Sequence, residues 1–150
     1  MPTGIVLSTQ SPERNNTEFP RRGGTGAGIN KVTNYPVMKM HRDAKPRDDE
    51  IDAYKAIEND SIVFITGHSN TGLDNITGDY VPPLASSQPI EPISTEWTYQ
   101  QFRDLLVDNG NLKPGDHITV VLWACNAGEG DLGSGAALMG RLFREAGINT

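Results

Sequence analysis

Two almost unbroken apolar runs, Ile62-Val63-Phe64-Ile65 and Ile118-Thr119-Val120-Val121-Leu122-Trp123-Ala124, restrict what this chain can fold into more than any other feature. Both are rich in β-branched and aromatic residues and lack the polar alternation of a half-exposed strand, the pattern of strands covered on both faces. Between them, Tyr99, Phe102, Leu105 and Leu106 fall at helical spacing, with Thr95 as cap, Glu96 in the first turn and Gly110 as stop. After the second run, Ala136 to Ala146 reads as a helix with Leu138, Leu142 and Phe143 inward and Gly147 closing it. Strand, helix, strand, helix with apolar strands requires parallel neighbours joined by right-handed crossovers. The expected class is α/β: an open, mostly parallel sheet with helices on both faces. The pattern would begin another strand at Ile148-Asn149-Thr150, so the expectation is a sheet truncated before its last strand or completed by another chain or segment.

The first third of the chain is less regular. Gly4-Ile5-Val6-Leu7-Ser8 reads as a short strand. Residues 9–34 are rich in Ser, Asn, Thr, Gly, Arg and Pro, lack any period, and read as a mobile arm or long loop. Tyr35-Pro36-Val37-Met38-Lys39-Met40 alternates, but Pro36 has no N–H and confines it to an edge. Ile51, Tyr54 and Ile57 predict a short helix over 50–59. A long loop, with Pro82, Pro83, Pro89 and Pro92, follows the first apolar run. The organisation expected is an N-terminal strand and arm over 1–49 leading into a core over 50–150.

Composition narrows the function classes. The 150 residues carry 13 Lys+Arg against 19 Asp+Glu, a formal charge of −6. That balance disfavours nucleic acid, whose binders carry a basic patch; Arg21-Arg22 and the stretch from Lys39 to Arg47 are local exceptions. One Cys excludes an intramolecular disulfide framework and a cysteine-cluster zinc site. No apolar run approaches the ~18 residues that cross a bilayer, and no signal-peptide pattern opens the chain. A protein in a reducing compartment, without a membrane span, is expected.

Both apolar runs end at residues with reactive side chains, His68 and Cys125. In a parallel sheet the C-terminal strand ends share one rim, where open α/β folds hold ligands. If the strands are neighbours, about 4.8 Å apart, a thiol and its base can meet there. A nearby imidazole raises the small thiolate fraction of a free Cys and later protonates the leaving group. Backbone N–H groups at the strand ends, those of Ser69 and Cys125 included, can face a developing oxyanion. His117 begins the Cys125 strand, about 26 Å from its end, and is excluded as partner. His41 shares the rim only if its own strand is parallel.

A hydrophobic block ending in His, a crossover helix, and a second block ending in Ala-Cys resembles the caspase-like cysteine peptidases. Phe64-Ile65-Thr66-Gly67-His68 and Val121-Leu122-Trp123-Ala124-Cys125-Asn126 are most similar to the self-processing cysteine peptidase domain of large bacterial toxins, over about residues 50–147. The resemblance implies His68 as catalytic imidazole, Cys125 as nucleophile and backbone N–H groups as oxyanion hole. The family usually has Gly after the His; here Ser69 stands there and retains the N–H without the freedom of Gly. The resemblance also implies a peptide or protein substrate and a setting that is cytoplasmic or reached by delivery into another cell. Toxin domains bind inositol hexakisphosphate through basic residues, many in a C-terminal portion with no counterpart here, and that ligand is not expected.

Other motifs weigh less. Gly128-Glu129-Gly130-Asp131-Leu132-Gly133 has dinucleotide-loop spacing after a strand, but Glu129 and Asp131 would repel a pyrophosphate. As a loop beside the nucleophile, it would order over substrate, its two acids favouring a basic side chain. Gly23-Gly24-Thr25-Gly26-Ala27-Gly28 follows no strand and reads as linker; in a self-processing enzyme Arg21-Arg22-Gly23-Gly24 is a candidate cleavage region. Asp74, Asp79, Glu129 and Asp131 match no calcium loop. No metal and no cofactor are expected. The alternatives to a cysteine peptidase are an inactive caspase-like interaction module and, with less support, a nucleotide-binding α/β domain.

Overall fold

At the centre of the sheet lies the five-residue strand β1, Gly4–Ser8, whose Ile5, Val6 and Leu7 are all 0% exposed. The computed structural model describes residues 3–9, 33–67, 75–80, 93–124 and 135–150. In chain order β1 is followed by β2 (Val37–Lys39), a 3-10 turn (Asp48–Glu50), α1 (Ile51–Lys55) and β3 (Ile62–Gly67). Next come β4 (Asn75–Tyr80), β5 (Ile93–Thr98), α2 (Tyr99–Asn109), β6 (Thr119–Ala124) and α3 (Gly135–Glu145). The order β2-β1-β3-β6 makes an open four-stranded sheet in which every pairing is parallel. The α/β class read from the sequence is the class of the molecule.

The main core fills one face of this sheet. Ile5, Leu7, Val63 and Ile65 cluster with Tyr54 and Ile57, with Phe102, Leu105 and Leu106 of α2, and with Met139 and Phe143 of α3. Both α1 and α3 pack on α2, so the described helices form one layer. By strand alternation Val6 and Phe64 point the other way. There the Tyr35 ring lies 6.4 Å from that of Phe64 and crosses Gly4, where a Cβ would collide with it. β1 is therefore the strand sealed on both faces, whereas β3 is sealed at Val63 and Ile65 and half-buried at Ile62 and Phe64.

Several expectations change. Thr95 does not cap a helix: Ile93–Thr98 is β5, paired antiparallel with β4 from Asn75↔Thr98 to Tyr80↔Ile93. The cap is Thr98, whose Oγ1 accepts from the Gln101 N–H while the Gln101 side chain accepts from the Thr98 N–H. Part of the segment read as one long loop is thus a two-stranded ribbon, anchored by buried Ile76 opposite buried Trp97. The helix expected over 50–59 shortens to the 3-10 turn and α1, although Tyr54 and Ile57 are buried as its spacing required. Thr9, assigned to the arm, is fully buried. Residues 10–32, the rest of that arm apart from Thr33 and Asn34, lie outside the described residues, with Arg21-Arg22 and the Gly23–Gly28 stretch. β2 is the edge strand that Pro36 demands, and the Pro36 carbonyl still accepts from the Val6 N–H at 2.9 Å.

Candidate active site

The four parallel strands deliver their C-terminal ends to one rim, and the side chains there fasten it. The Thr9 N–H and Oγ1 both donate to the Thr66 carbonyl, at 3.2 and 2.8 Å, tying β1 to β3. Lys39 Nζ donates to the carbonyls of Thr9 and Met40, at 3.1 and 3.0 Å, and stands 5.0 Å from the Trp97 ring centroid. Trp97 Nε1 donates to the His41 carbonyl at 2.8 Å, which pins the β4–β5 ribbon beside the end of β2. At the other end of the rim, the Tyr99 ring lies so close to Gly135 that any side chain there would collide with its hydroxyl. The first turns of α2 and α3 therefore meet.

Within this frame β3 and β6 are neighbours in register, Ile62↔Thr119 through Gly67↔Ala124. The adjacency on which a thiol–imidazole pair depends is met by the backbone. His68 and Cys125 are the residues that follow β3 and β6 in sequence and lie outside the described residues, as do Ser69, Glu129, Asp131, Asp74 and the whole Gly128–Gly133 loop.

The other two histidines are described. His117 precedes β6 at the opposite end of the sheet, half-exposed, with Nδ1 3.8 Å from Asp60. His41 follows β2, which runs parallel to β1, so it does share the rim. Three strand spacings, about 14 Å, separate β2 from β6. His41 is moreover engaged, its Nε2 2.7 Å from Glu50 Oε1, an oxygen that also accepts from the Arg47 N–H at 2.8 Å. Next to this pair, burial and then the Glu50 carboxylate hold the Tyr54 hydroxyl above its ordinary range, so it stays neutral.

Residues that sequence reading did not single out shape this end of the sheet: Thr9, Lys39, Trp97 and Asn75. Trp97 offered the one usable signal, a large aromatic in a stretch otherwise polar enough to be loop. Asn75 sits opposite the cap residue Thr98, and its Oδ1 is buried without a hydrogen-bond partner. Among the described residues, no group of three or more His, Cys, Asp or Glu side chains could hold a metal ion, and no helix is long and apolar enough to cross a membrane. No protein-family model, curated protein or solved structure matches the chain.

Proposed function

We propose that the protein is a cysteine peptidase in which Cys125 attacks a peptide carbonyl and His68 serves as base and then acid. The single observation that supports this reading is the pairing of Gly67 with Ala124, which sets the two residues before the dyad on neighbouring strands. The Cys125 thiolate adds to the carbonyl carbon, and the imidazolium returns its proton to the departing amine. Water, deprotonated by the same imidazole, then hydrolyses the thioester and frees the thiol. Backbone N–H groups of Ser69 and Cys125 take the oxyanion in this scheme. The substrate is a peptide or protein, the chain's own Arg21-Arg22-Gly23-Gly24 region included, and the setting is cytoplasmic or another cell entered by delivery. A second reading, an inactive relative acting as an interaction module, is favoured by the outer edge of β6, which among the described residues is the terminal strand of the sheet.

Because the chain has one Cys, any thiol label reports Cys125 alone. An imidazole-activated thiolate reacts with iodoacetamide at pH 6 on the order of tenfold faster than free cysteine, and His68→Ala returns it to the free rate. Cys125→Ala and His68→Ala each abolish cleavage of a peptide library with thermal unfolding unchanged. Full cleavage by either variant, or labelling no faster than free cysteine, refutes the dyad.

A further inference from the structure

Buried polar atoms in folded proteins almost always have a partner, and an acceptor that lacks one keeps the full cost of its lost water. Among the described residues, Asn75 Oδ1 is the one buried side-chain nitrogen or oxygen with no hydrogen-bond partner. Asn75 is the first residue of β4 and pairs with Thr98 across the ribbon. Its neighbour Ile76 is fully buried in the cluster that holds Val63 and Ile65 of β3, and β4 packs on β3. The start of the ribbon is therefore held to the sheet, and the Asn75 carboxamide is held with it.

The acceptors described around this end of the sheet already have donors. Thr98 Oγ1 accepts from the Gln101 N–H, and Gln101 Oε1 accepts from the Thr98 N–H. The Thr66 carbonyl takes both donors of Thr9, and Glu50 Oε1 takes the Arg47 N–H while meeting His41 Nε2. Of these groups, Asn75 Oδ1 alone lacks a donor.

A catalytic imidazole requires an acceptor of this kind. One ring nitrogen takes the thiol proton; the other keeps a proton throughout, and the group that accepts from it fixes the tautomer and the plane of the ring. In the reaction proposed above that imidazole is His68, the residue after Gly67, which ends β3. Resting on that reading, we propose that Asn75 is a positioning residue whose Oδ1 accepts a hydrogen bond from the His68 ring nitrogen that does not face Cys125. The proton of Cys125 passes to the other nitrogen and later to the departing amine, while the proton shared with Asn75 stays on the ring. A carboxamide does this without placing a second charge in a buried site.

Imidazole 15N NMR and thiol alkylation on the whole chain test the assignment together. The His68 signals are those lost in His68→Ala. In the wild-type protein the neutral His68 ring is held as a single tautomer, and its N–H exchanges slowly with water. Asn75→Leu removes the acceptor at similar volume; the tautomers then average, and labelling of Cys125 by iodoacetamide at pH 6 slows about tenfold, to the rate of free cysteine. Asn75→Asp puts an acceptor back and restores both readouts. The proposal is overturned if Asn75→Leu labels at the wild-type rate, or if the His68 tautomer is the same with and without the carboxamide. It is also overturned if the wild-type ring N–H exchanges as in free histidine, a result that needs no variant and decides the matter even where Asn75→Leu does not fold. Labelling unchanged in His68→Ala removes the dyad and this assignment with it; labelling slowed in His68→Ala but not in Asn75→Leu removes the assignment alone.

Discussion

Trp97 shows how one side chain can hold two parts of this molecule together. It is fully buried, donates from Nε1 to a carbonyl at the end of β2, and carries Lys39 at cation–π distance from its ring. Trp97→Phe keeps most of the apolar contact but leaves the His41 carbonyl without that donor. It is expected to cost about 1–2 kcal/mol, against about 3–5 kcal/mol for Trp97→Ala, read from urea midpoints at unchanged m-value. A surface residue behaves differently. Burial works against the Asp43 carboxylate, but hydrogen bonds from Arg47 and from the Lys45 N–H, with the Arg47 and His41 charges, outweigh it and hold the group below its ordinary 3.8. A depressed folded value means a contribution to stability that is complete above about pH 4 and is lost as the pH falls through the folded midpoint. The pair is half-exposed, so the contribution is small. The check is the carboxyl carbon of Asp43 followed by NMR: Arg47→Ala moves its midpoint upward, and an unmoved midpoint contradicts the assignment.

Among the elements, the border between β5 and α2 is the sharpest test of why local sequence signals go astray. Thr95 with Glu96 offers the same chemistry as a cap followed by an acidic first turn, but Thr98 with Gln101 forms the reciprocal box. Thr98→Ala is expected to lower stability by about 1 kcal/mol, and Thr95→Ala, mid-strand, to leave the helix cap intact; equal losses would mean the border is misplaced. Once Thr95 is taken into a strand, its partner must be found near Gly78, and there sequence offered little. Asn75–Tyr80 contains Gly78 and Asp79, both turn formers, and its described anchor is Ile76 alone. β3 and β6 were legible because their apolar runs are continuous, but the burial on both faces that such runs predict is not met: Ile62 and Phe64 are half-buried in β3, and in β6 Val120, Val121 and Leu122 are half-buried and Trp123 is 57% exposed. Their adjacency, on which the candidate dyad rests, was a condition of the sequence reading and not its result: consecutive strands often neighbour each other, but β2 and β3, also joined through a helix, are separated by β1. The neighbours of the rim were not legible. Thr9, Lys39 and Trp97 come from three distant segments, and no periodicity links residues joined only by tertiary hydrogen bonds.

For the molecule as a whole, the decisive fact is that the strand sealed on both faces is contributed by residues 4–8, far in sequence from the helices that cover it. β1 pairs with β3 along five residues, Gly4↔Ile62 to Ser8↔Thr66, and with β2 along three, so β2 reaches the sheet only through β1. Ile5, Val6 and Leu7 each contribute about 2 kcal/mol of burial, together on the scale of the ~5–15 kcal/mol that separates folded from unfolded domains. Removing β1 also exposes the β1-facing edge of β3. A chain begun at residue 50, although it retains β3, β6 and the three described helices, is therefore expected not to fold cooperatively. It should show weak amide dispersion and no sigmoidal urea transition, while a synthetic peptide of residues 1–9 added in trans restores some of both. Cooperative unfolding of the 50–150 chain by itself, with the Val63 and Ile65 amides as protected as in the full chain, would show that β1 is an addition to an independent core and not the strand around which the sheet is organised.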